Sequence, residues 1–252
     1  MRYLQKVLRL TAGVGEELLS CGAEIARVEE TMSRIAKHYG TTRQQVFIIS
    51  NGVFVNLEMG DEQRETSLQP VMSSSTDLNK LCELNNLSRK IEQTDLDIDA
   101  AISEFEEIKQ GSKYSKWLHV LCSGIGAAAF CYFLGGGAMD CMAAYLMGLL
   151  VWGFFLVLER FNLSKVILYI VASFLAAGGC VLMLKAGMIE NLDKAVVGAI
   201  IPLLPSVSFV NGVRDLVDQN YISGGIRLVD AILLFTCITT GVFLALQMGG
   251  NM

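Results

Sequence analysis

The residues best suited to chemistry lie in one apolar run of the sequence, residues 195–213. Pro202 and Pro205 stand near the middle of this run. A proline has no N–H and displaces the carbonyl four residues before it, so the carbonyls of Gly198 and Ile201 are expected to lose their helical partners. Backbone groups freed in this way can bind a polar ligand. The alternative explanation of the two prolines is a structural kink whose freed carbonyls bond to neighbouring helices.

Polar and ionised side chains follow the two prolines directly. Arg214 can bind a carboxylate. An ammonium group can be bound, or a proton exchanged, by Asp215, Asp218 or Asp230. Arg227 and Asp230 stand three residues apart, so a simple helix ion pair is the alternative explanation for these two. The candidate substrate-binding residues are Gly198, Ile201, Pro202, Pro205, Ser206, Ser208, Asn211, Arg214 and Asp215. The candidate coupling or gating residues are Asp218, Arg227 and Asp230.

A second charged set lies near the N-terminus. Glu24, Arg27, Glu30 and Arg34 are spaced three or four residues apart, which places them along one helix face. A solvent-exposed ladder of ion pairs is the simpler explanation of this spacing. A contact with a ligand or with another subunit is the other, and its candidate residues are Glu24, Arg27 and Glu29.

No set of residues typical of catalysis accompanies these candidates. The sequence contains no G-x-x-x-x-G-K-[ST] nucleotide loop and no G-x-S-x-G elbow, and His38 is the one imidazole of the first half. The seven cysteines include no C-x-x-C pair, which disfavours a disulfide framework or a zinc site. A membrane hydrolase that uses Ser73–Ser75 or Glu24 is disfavoured because no nucleophile and base pair is visible. The sequence predicts a protein that is not an enzyme and has no cofactor or metal.

Composition separates the chain into two halves. Hydrophobic residues make up 52% of its 252 residues, which is more than an ordinary soluble domain contains. Residues 1–112 carry 12 Lys/Arg against 18 Asp/Glu, whereas residues 113–252 carry 8 against 7. The acidic first half argues against a nucleic-acid partner, because neutralising phosphates requires a face rich in Lys and Arg.

The second half consists of long uncharged runs separated by short charged segments. A bilayer core of about 30 Å needs roughly 20 apolar residues in a helix, and each run is close to that length. The predicted transmembrane helices are 117–139, 141–158, 166–184, 195–213 and 230–249. Small residues spaced four apart, such as Ser123 with Ala127, and Ala172 with Ala176 and Cys180, predict close packing between helices.

Basic residues in the short loops predict the orientation of these helices. Only Lys185 and Lys194 lie on one side, and six basic residues lie on the other, which marks that side as cytoplasmic. The six are Lys113, Lys116, Arg160, Lys165, Arg214 and Arg227. We therefore expect a multi-pass protein of the cell (inner) membrane with its N-terminus in the cytoplasm and its C-terminus outside. Met1–Leu10 lacks the apolar stretch of a signal peptide.

An odd number of spans is typical of one half of an inverted-repeat transporter. With five predicted spans, this chain is expected to be one half of such a transporter. An oligomer is also compatible with this organisation.

The acidic half, residues 1–112, is predicted to form a small α+β cytoplasmic domain. Apolar residues at steps of three and four predict one or two helices over residues 3–39, with a break near Gly22. Asn51-Gly52 between two β-rich runs predicts a hairpin, and Thr66–Val71 can supply a third strand. Suitable helix N-caps, for helices that begin near Asp77 and Asp95, are Ser75, Thr76 and Thr94.

Two parts of the sequence resemble a known family. Leu18–Met32, LLSCGAEIARVEETM, resembles the G-A-E-x-x-R-V-E helix of the threonine/serine exporter (ThrE-like) family. Pro202-x-x-Pro205, followed by NGVRD from Asn211 and SGGIR from Ser223, resembles a second part of that family. The likeness extends over nearly the whole chain and fits the split, YjjP-like form, in which a cytoplasmic domain and five helices make one subunit. It implies export of threonine and serine, or of a dicarboxylate such as succinate, driven by a proton gradient and assisted by a second small membrane subunit.

The sequence thus predicts an α-helical membrane protein with a five-helix transmembrane bundle preceded by a small α+β cytoplasmic domain. The leading functional hypothesis is a subunit of a secondary exporter that moves a small-molecule substrate through the lipid bilayer. The alternative is a membrane-tethered sensor or assembly protein that acts through its cytoplasmic domain. The broken fourth helix favours the exporter, because a simple anchor needs no interrupted backbone at membrane depth.

Overall fold

The computed structural model describes residues 2–60, 63–71, 77–111, 115–158 and 164–250. These residues are mostly helical and include one small three-stranded sheet. It divides into two compact units. The first unit comprises residues 1–112 and 207–229, and the second comprises residues 113–206 and 230–252. The division into a cytoplasmic and a membrane domain at residue 112 remains a prediction, and the first unit also includes 23 residues from the later part of the chain, 207–229.

The first unit begins with two helices and a sheet. Its elements up to residue 110 are α1 (Tyr3–Ser20), α2 (Ile25–His38), β1 (Arg43–Ile49), β2 (Gly52–Met59), β3 (Gln63–Pro70), α3 (Leu78–Thr94) and α4 (Ile98–Gln110). The predicted break near Gly22 is confirmed, because Gly22 has a φ of 84° and lies between α1 and α2. A positive φ is easily reached only by glycine, so this residue can turn the chain between two helices.

The strands form an antiparallel sheet in the order β1-β2-β3. The predicted hairpin and third strand are confirmed, but the turn lies at Ser50-Asn51, one residue earlier than expected. Gly52 is the first residue of β2, where it pairs with Ile49 on one side and Pro70 on the other. Alternation along β2 buries every second side chain among the helices of the unit, as expected for a sheet covered on one face.

The caps of α3 and α4 differ partly from expectation. Asp77 caps α3 by accepting a hydrogen bond from the backbone N–H of Lys80 at 3.0 Å. Thr94 is the last residue of α3 rather than an N-cap, and α4 begins three residues later than expected. Asp97 caps α4 instead, because its carboxylate accepts a hydrogen bond from the N–H of Asp99. The other two predicted caps, Ser75 and Thr76, and the run Ser73–Ser75 lie outside the described residues.

The second unit is built from apolar helices. It contains α5 (Lys116–Phe133), α6 (Ala138–Leu158), α7 (Lys165–Lys185), α8 (Leu192–Ile200) with a 3₁₀ turn (Ile201–Leu203), and the later part of α10 (Tyr221–Gly250). The remaining helix, α9 (Ser206–Val217), belongs to the first unit from residue 207 onward.

Small residues bring the helices of the second unit close together, as predicted. The Ser123 hydroxyl on α5 donates a hydrogen bond to the Gly148 carbonyl on α6 at 3.1 Å, and Ala127 is fully buried. A Cβ added at Gly148 would lie 2.9 Å from the Ser123 carbonyl oxygen, so only glycine allows this approach. Ala172, Ala176 and Cys180 on α7 are buried as well.

Within the described residues, three helices are long and apolar enough to cross a membrane: α6, α7 and α10. The broken pair formed by α8 with its 3₁₀ turn and α9 supplies a fourth span if the pair counts as one. The apolar part of α5, Trp117–Phe133, is shorter than a full span. The chain therefore has the character of a multi-pass membrane protein, while the number of five spans remains a prediction.

Three predicted helix boundaries are wrong. The first run ends as a helix at Phe133 instead of 139, because Gly135 adopts a φ of 81°. The fourth run consists of two helices, interrupted where Leu204 is extended (φ −66°, ψ 129°). The last helix begins at Tyr221, nine residues before the expected 230.

The interruption at the prolines is confirmed, with one correction. The Ile201 carbonyl was expected to lose its partner, but it accepts a hydrogen bond from the Leu204 N–H at 3.0 Å. A 3₁₀ turn satisfies this carbonyl by an i→i+3 bond that the α-helix could not supply after Pro205.

Candidate functional site

In the first unit, four polar contacts between described residues connect the α1–α2 turn with α9 and the start of α10. Four consecutive residues of the turn, 22–25, each contact a different polar side chain from the segment 211–227. We call these eight residues the polar junction: Gly22, Ala23, Glu24, Ile25, Asn211, Arg214, Asp215 and Arg227. All eight belong to the first unit.

One face of α9 supplies three of these side chains, because Asn211, Arg214 and Asp215 are spaced by three and four residues. Asn211 Nδ2 donates a hydrogen bond to the Gly22 carbonyl at 2.7 Å. The Arg214 guanidinium is paired with the Glu24 carboxylate. Asp215 Oδ1 accepts a hydrogen bond from the Ile25 N–H at 3.4 Å.

Arg227, from the first turns of α10, completes the polar junction. Its Nη2 donates a hydrogen bond to the Ala23 carbonyl at 2.9 Å, and its Nη1 lies 3.3 Å from Asp215 Oδ2. The side chains of Arg227 and Asp215 are 11% and 1% exposed. Among the described residues, Arg227 forms an ion pair with Asp215. The helix ion pair of Arg227 with Asp230 stays a prediction.

The two ion pairs of the polar junction differ in their contact with water. Arg214 is 53% exposed and Glu24 is 22% exposed, whereas Asp215 and Arg227 are buried. A buried pair is costly to break, because the partner left behind is a desolvated charge. An exposed pair contributes little and exchanges readily. The polar junction thus has a fixed inner pair and an accessible outer pair.

The N-terminus of α2 is part of the same arrangement. Glu24 is the N-cap residue, but its side chain makes no capping hydrogen bond. Asp215 caps the helix in its place, since its carboxylate accepts from the first helical N–H, that of Ile25. A carboxylate at this position also complements the positive end of the helix dipole. Among the described side chains, Asp215 Oδ2 has no hydrogen-bond partner, although it lies beside Arg227.

Glycines hold α9 and α10 close enough to form the polar junction. A Cβ added at Gly224 would lie 2.8 Å from the Gly212 carbonyl oxygen, and one added at Gly212 would lie 3.1 Å from Leu228. Between the two helices Gln219 adopts a φ of 66°, and the Asn220 N–H donates to the Asp215 carbonyl. The close helix contact explains why NGVRD and SGGIR contain glycine at these positions.

The remaining predicted residues lie elsewhere. Gly198 packs against α5, where an added Cβ would be 2.8 Å from the Ala127 carbonyl oxygen. Five of the predicted residues belong to the second unit together with Asp230: Gly198, Ile201, Pro202, Pro205 and Ser206. Ser208 is half-buried on α9.

The other charged candidates are exposed. Asp218, Arg27 and Glu29 all have exposed side chains. The expected ladder on α2 is present in part, because Arg34 pairs with Glu30 at 2.7 Å. Glu24 departs from the ladder and pairs with Arg214.

Sequence reasoning missed one buried carboxylate, Asp140, in the first turn of α6. Its side chain is buried and accepts four hydrogen bonds: from the N–H groups of Gly137, Glu190 and Asn191, and from Asn191 Nδ2. The contacts connect the start of α6 with the segment before α8. The Gly-Gly-x-x-Asp spacing of residues 136–140 is the signal that could have identified it, since it places a carboxylate beside free N–H groups at a helix start.

The side chains of the polar junction are suited to binding charged groups. Among the described residues no group of three or more His, Cys, Asp or Glu side chains could hold a metal ion. Burial raises the pKa of the neighbouring Cys21 thiol, so it carries little of the reactive thiolate at neutral pH. An accessible guanidinium beside a buried carboxylate and a helix N-terminus is suited to binding a carboxylate.

Residues 9–249 match the family model ThrE, which carries the description "Putative threonine/serine exporter". The chain belongs to this family. Its members are transporters, not enzymes, and the two motifs that suggested the resemblance meet in the polar junction. In this chain, residues of both motifs therefore join the α1–α2 turn to α9 and the start of α10.

Several named proteins are similar to this chain. It is 26% identical over 249 residues to a "Probable threonine/serine exporter" of Mycobacterium tuberculosis, which covers 97% of this chain but 46% of that protein. It is 26% identical over 245 residues to a "Probable succinate transporter subunit YjjP" of Escherichia coli, covering 97% of this chain and 95% of that one. The chain thus spans about half of the first relative and nearly all of the second. No solved structure matches it.

Proposed function

We propose that this chain is a subunit of a secondary exporter for small amino acids such as threonine and serine, or for a small dicarboxylate such as succinate. The observation that carries the proposal is the half-exposed side chain of Arg214, whose guanidinium pairs with the Glu24 carboxylate from the other family motif. The names of the relatives support the same substrate classes, since one is called a threonine/serine exporter and another a succinate transporter subunit. All three compounds carry a carboxylate.

We propose that the substrate carboxylate binds Arg214 and that Asp215 is the acidic partner nearby. The backbone N–H groups after Pro205 are a weaker alternative, because the Ser206 N–H already donates to the Leu204 carbonyl at 2.8 Å. The interruption at Pro202 and Pro205 is proposed as a separate element of the transport path within the second unit. Its test is the double variant Pro202→Ala, Pro205→Ala, which is expected to impair export without preventing membrane insertion.

Efflux from cells tests the role of Arg214. A charge-assisted hydrogen bond contributes about 1.5–3 kcal/mol, so Arg214→Gln is expected to weaken substrate binding by roughly ten- to a hundredfold. Arg89→Gln, which removes an exposed arginine on α3, is the matched control and should export normally. Arg227 is unsuitable as a control because it is buried in an ion pair. Normal export of threonine, serine and succinate by Arg214→Gln would contradict the proposal.

We also propose a five-span topology with a cytoplasmic N-terminus and an external C-terminus in the cell membrane. The six-to-two distribution of basic residues supports it. Single cysteines at positions 112 and 251, both outside the described residues, test it by labelling with a membrane-impermeant maleimide. Labelling of position 251 but not 112 from outside the cell is expected, and the reverse pattern would refute the topology.

A second membrane subunit is proposed as the partner in transport. The word "subunit" in the names of the YjjP relatives supports this proposal. Reconstitution tests it: the purified chain alone in liposomes should transport little, and addition of the membrane protein encoded beside it should restore transport. Full activity of the chain alone would refute the need for a partner.

A further inference from the structure

We propose that Glu24 is an internal substitute for the substrate carboxylate, which occupies Arg214 in the empty protein and is displaced when substrate binds. The inference rests on the proposed function. A guanidinium recognises a carboxylate through parallel N–H donors, and the carboxylate of a glutamate side chain is the same group as that of threonine, serine or succinate. Arg214 therefore already holds the kind of group that the exporter would carry.

The position of Glu24 makes its side chain free to leave. An N-cap residue ordinarily holds its own helix through its side chain, but Glu24 makes no capping hydrogen bond. Asp215 caps the N-terminus of α2 through the Ile25 N–H. Release of the Glu24 carboxylate therefore breaks no capping hydrogen bond of α2.

The turn itself stays in place when Glu24 leaves, because other contacts hold its backbone. Asn211 binds the Gly22 carbonyl, and Arg227 binds the Ala23 carbonyl. Displacement thus requires only a side-chain rotation of Glu24. The inner pair of Arg227 and Asp215 stays intact throughout.

Exposure allows substrate to reach the same guanidinium. The Arg214 side chain is 53% exposed while its Nη1 pairs with the Glu24 carboxylate, so a dissolved anion can approach the side chain. A second carboxylate approaching Arg214 meets the negative charge of Glu24 and competes with it for the same donors. Because exposed ion pairs are weak, removal of this competitor is expected to tighten substrate binding by roughly two- to fivefold.

Equilibrium binding to the purified full-length chain tests the inference. Radiolabelled L-threonine, L-serine and succinate are titrated against the wild type, Glu24→Gln, Glu30→Gln and Arg214→Gln. Glu24→Gln should bind the transported compound about two- to fivefold more tightly than the wild type. Glu30→Gln is the matched control, because it removes an exposed ion pair with Arg34 from the same helix without touching the polar junction. Its affinity should equal that of the wild type.

Glu24→Ala provides a second variant without the carboxylate, in case the amide of Glu24→Gln disturbs the turn. Equal or weaker binding by both Glu24 variants, with bound substrate still detected in the wild type, overturns the inference and leaves the proposed function standing. Arg214→Gln should bind at least about tenfold more weakly, and wild-type affinity in this variant overturns the shared carboxylate site. Absence of binding and of cellular export of all three compounds by the wild type overturns both the inference and the proposed function.

Discussion

Neutralising Asp215 is expected to destabilise the first unit far more than neutralising its neighbour Asp218. Asp215 is 1% exposed and its Oδ2 lies 3.3 Å from Nη1 of Arg227, which is 11% exposed. At an effective dielectric constant near 20, charges at this separation attract each other by about 5 kcal/mol. Removing one member of such a buried pair typically costs about 3–5 kcal/mol, because the other charge is left desolvated and unpaired. Asp218 is exposed, so its loss should cost at most about 0.5 kcal/mol.

Thermal unfolding of the purified chain in detergent measures this difference. Each kcal/mol corresponds to about 2–4 °C for a chain of this size, so Asp215→Asn should lower the apparent midpoint by about 6–20 °C. Asp218→Asn should lower it by no more than about 2 °C. Circular dichroism at a helix-sensitive wavelength follows the transition in both variants.

A double-mutant cycle separates the ion pair from other effects of the substitution. If Arg227→Gln is added to Asp215→Asn, the second change removes the unpaired charge, so the double variant should be more stable than the sum of the two losses predicts. Strict additivity, or an Asp215→Asn midpoint within about 2 °C of Asp218→Asn, would refute the assignment of Asp215 and Arg227 as a buried pair.

Three further predictions follow, two for residues of the first unit and one for a residue of the second. Gly224→Ala should lower the free energy of unfolding by about 1–3 kcal/mol, because the added Cβ would lie 2.8 Å from a backbone carbonyl oxygen of α9. In Gly225→Ala the added Cβ meets no atom within 4 Å, so this variant should lose no stability. Asp140→Asn should lower the free energy of unfolding by about 2–5 kcal/mol, because the carboxylate accepts four hydrogen bonds. The asparagine NH₂ group cannot accept them and would face the N–H donors that surround it. In native protein at pH 7.5, Cys21 should react with iodoacetamide much more slowly than the exposed Cys82, because burial raises the pKa of the Cys21 thiol and lowers its thiolate fraction.

Each of these predictions has its own control. Thermal midpoints of the two glycine variants are compared directly, and equal midpoints would contradict the close contact of α9 with α10. Asp193→Asn removes an exposed carboxylate from the first turn of α8. If it lowers the thermal midpoint as much as Asp140→Asn does, the loss of negative charge rather than of hydrogen bonds explains the destabilisation. Alkylation is read by peptide mass spectrometry, and Cys21 should reach the rate of Cys82 only after unfolding in denaturant.

Local patterns predicted most of the elements correctly. The spacing of apolar residues identified α1 and α2, and the β-rich runs around Asn51 identified the hairpin. These signals are local, because a helix face or a hairpin is defined by residues a few positions apart. The two prolines located the interruption of the fourth run for the same reason: each removes a donor from its own turn.

Boundaries were less predictable where glycine or a charged residue stands inside a helix. The sequence predicts that α10 begins at residue 230, because the charged Asp230 bounds the last uncharged run. The structure continues the helix back to Tyr221, since Arg227 finds a carbonyl and a carboxylate within the first unit. Counting charges cannot reveal this, because a charged residue ends an uncharged run without ending the helix.

The sequence by itself determined the class of protein, the apolar helices, the broken fourth run and the two motifs of the family. It also singled out Glu24, Asn211, Arg214 and Asp215 as chemically interesting. Only the tertiary structure decided that these residues contact one another, across about 190 positions of sequence, and that Arg227 pairs with Asp215. Long-range pairing depends on how α1, α2, α9 and α10 pack, and the spacing of residues along the chain carries no information about it. Burial, which divides the polar junction into a fixed inner pair and an accessible outer pair, arises from the same packing.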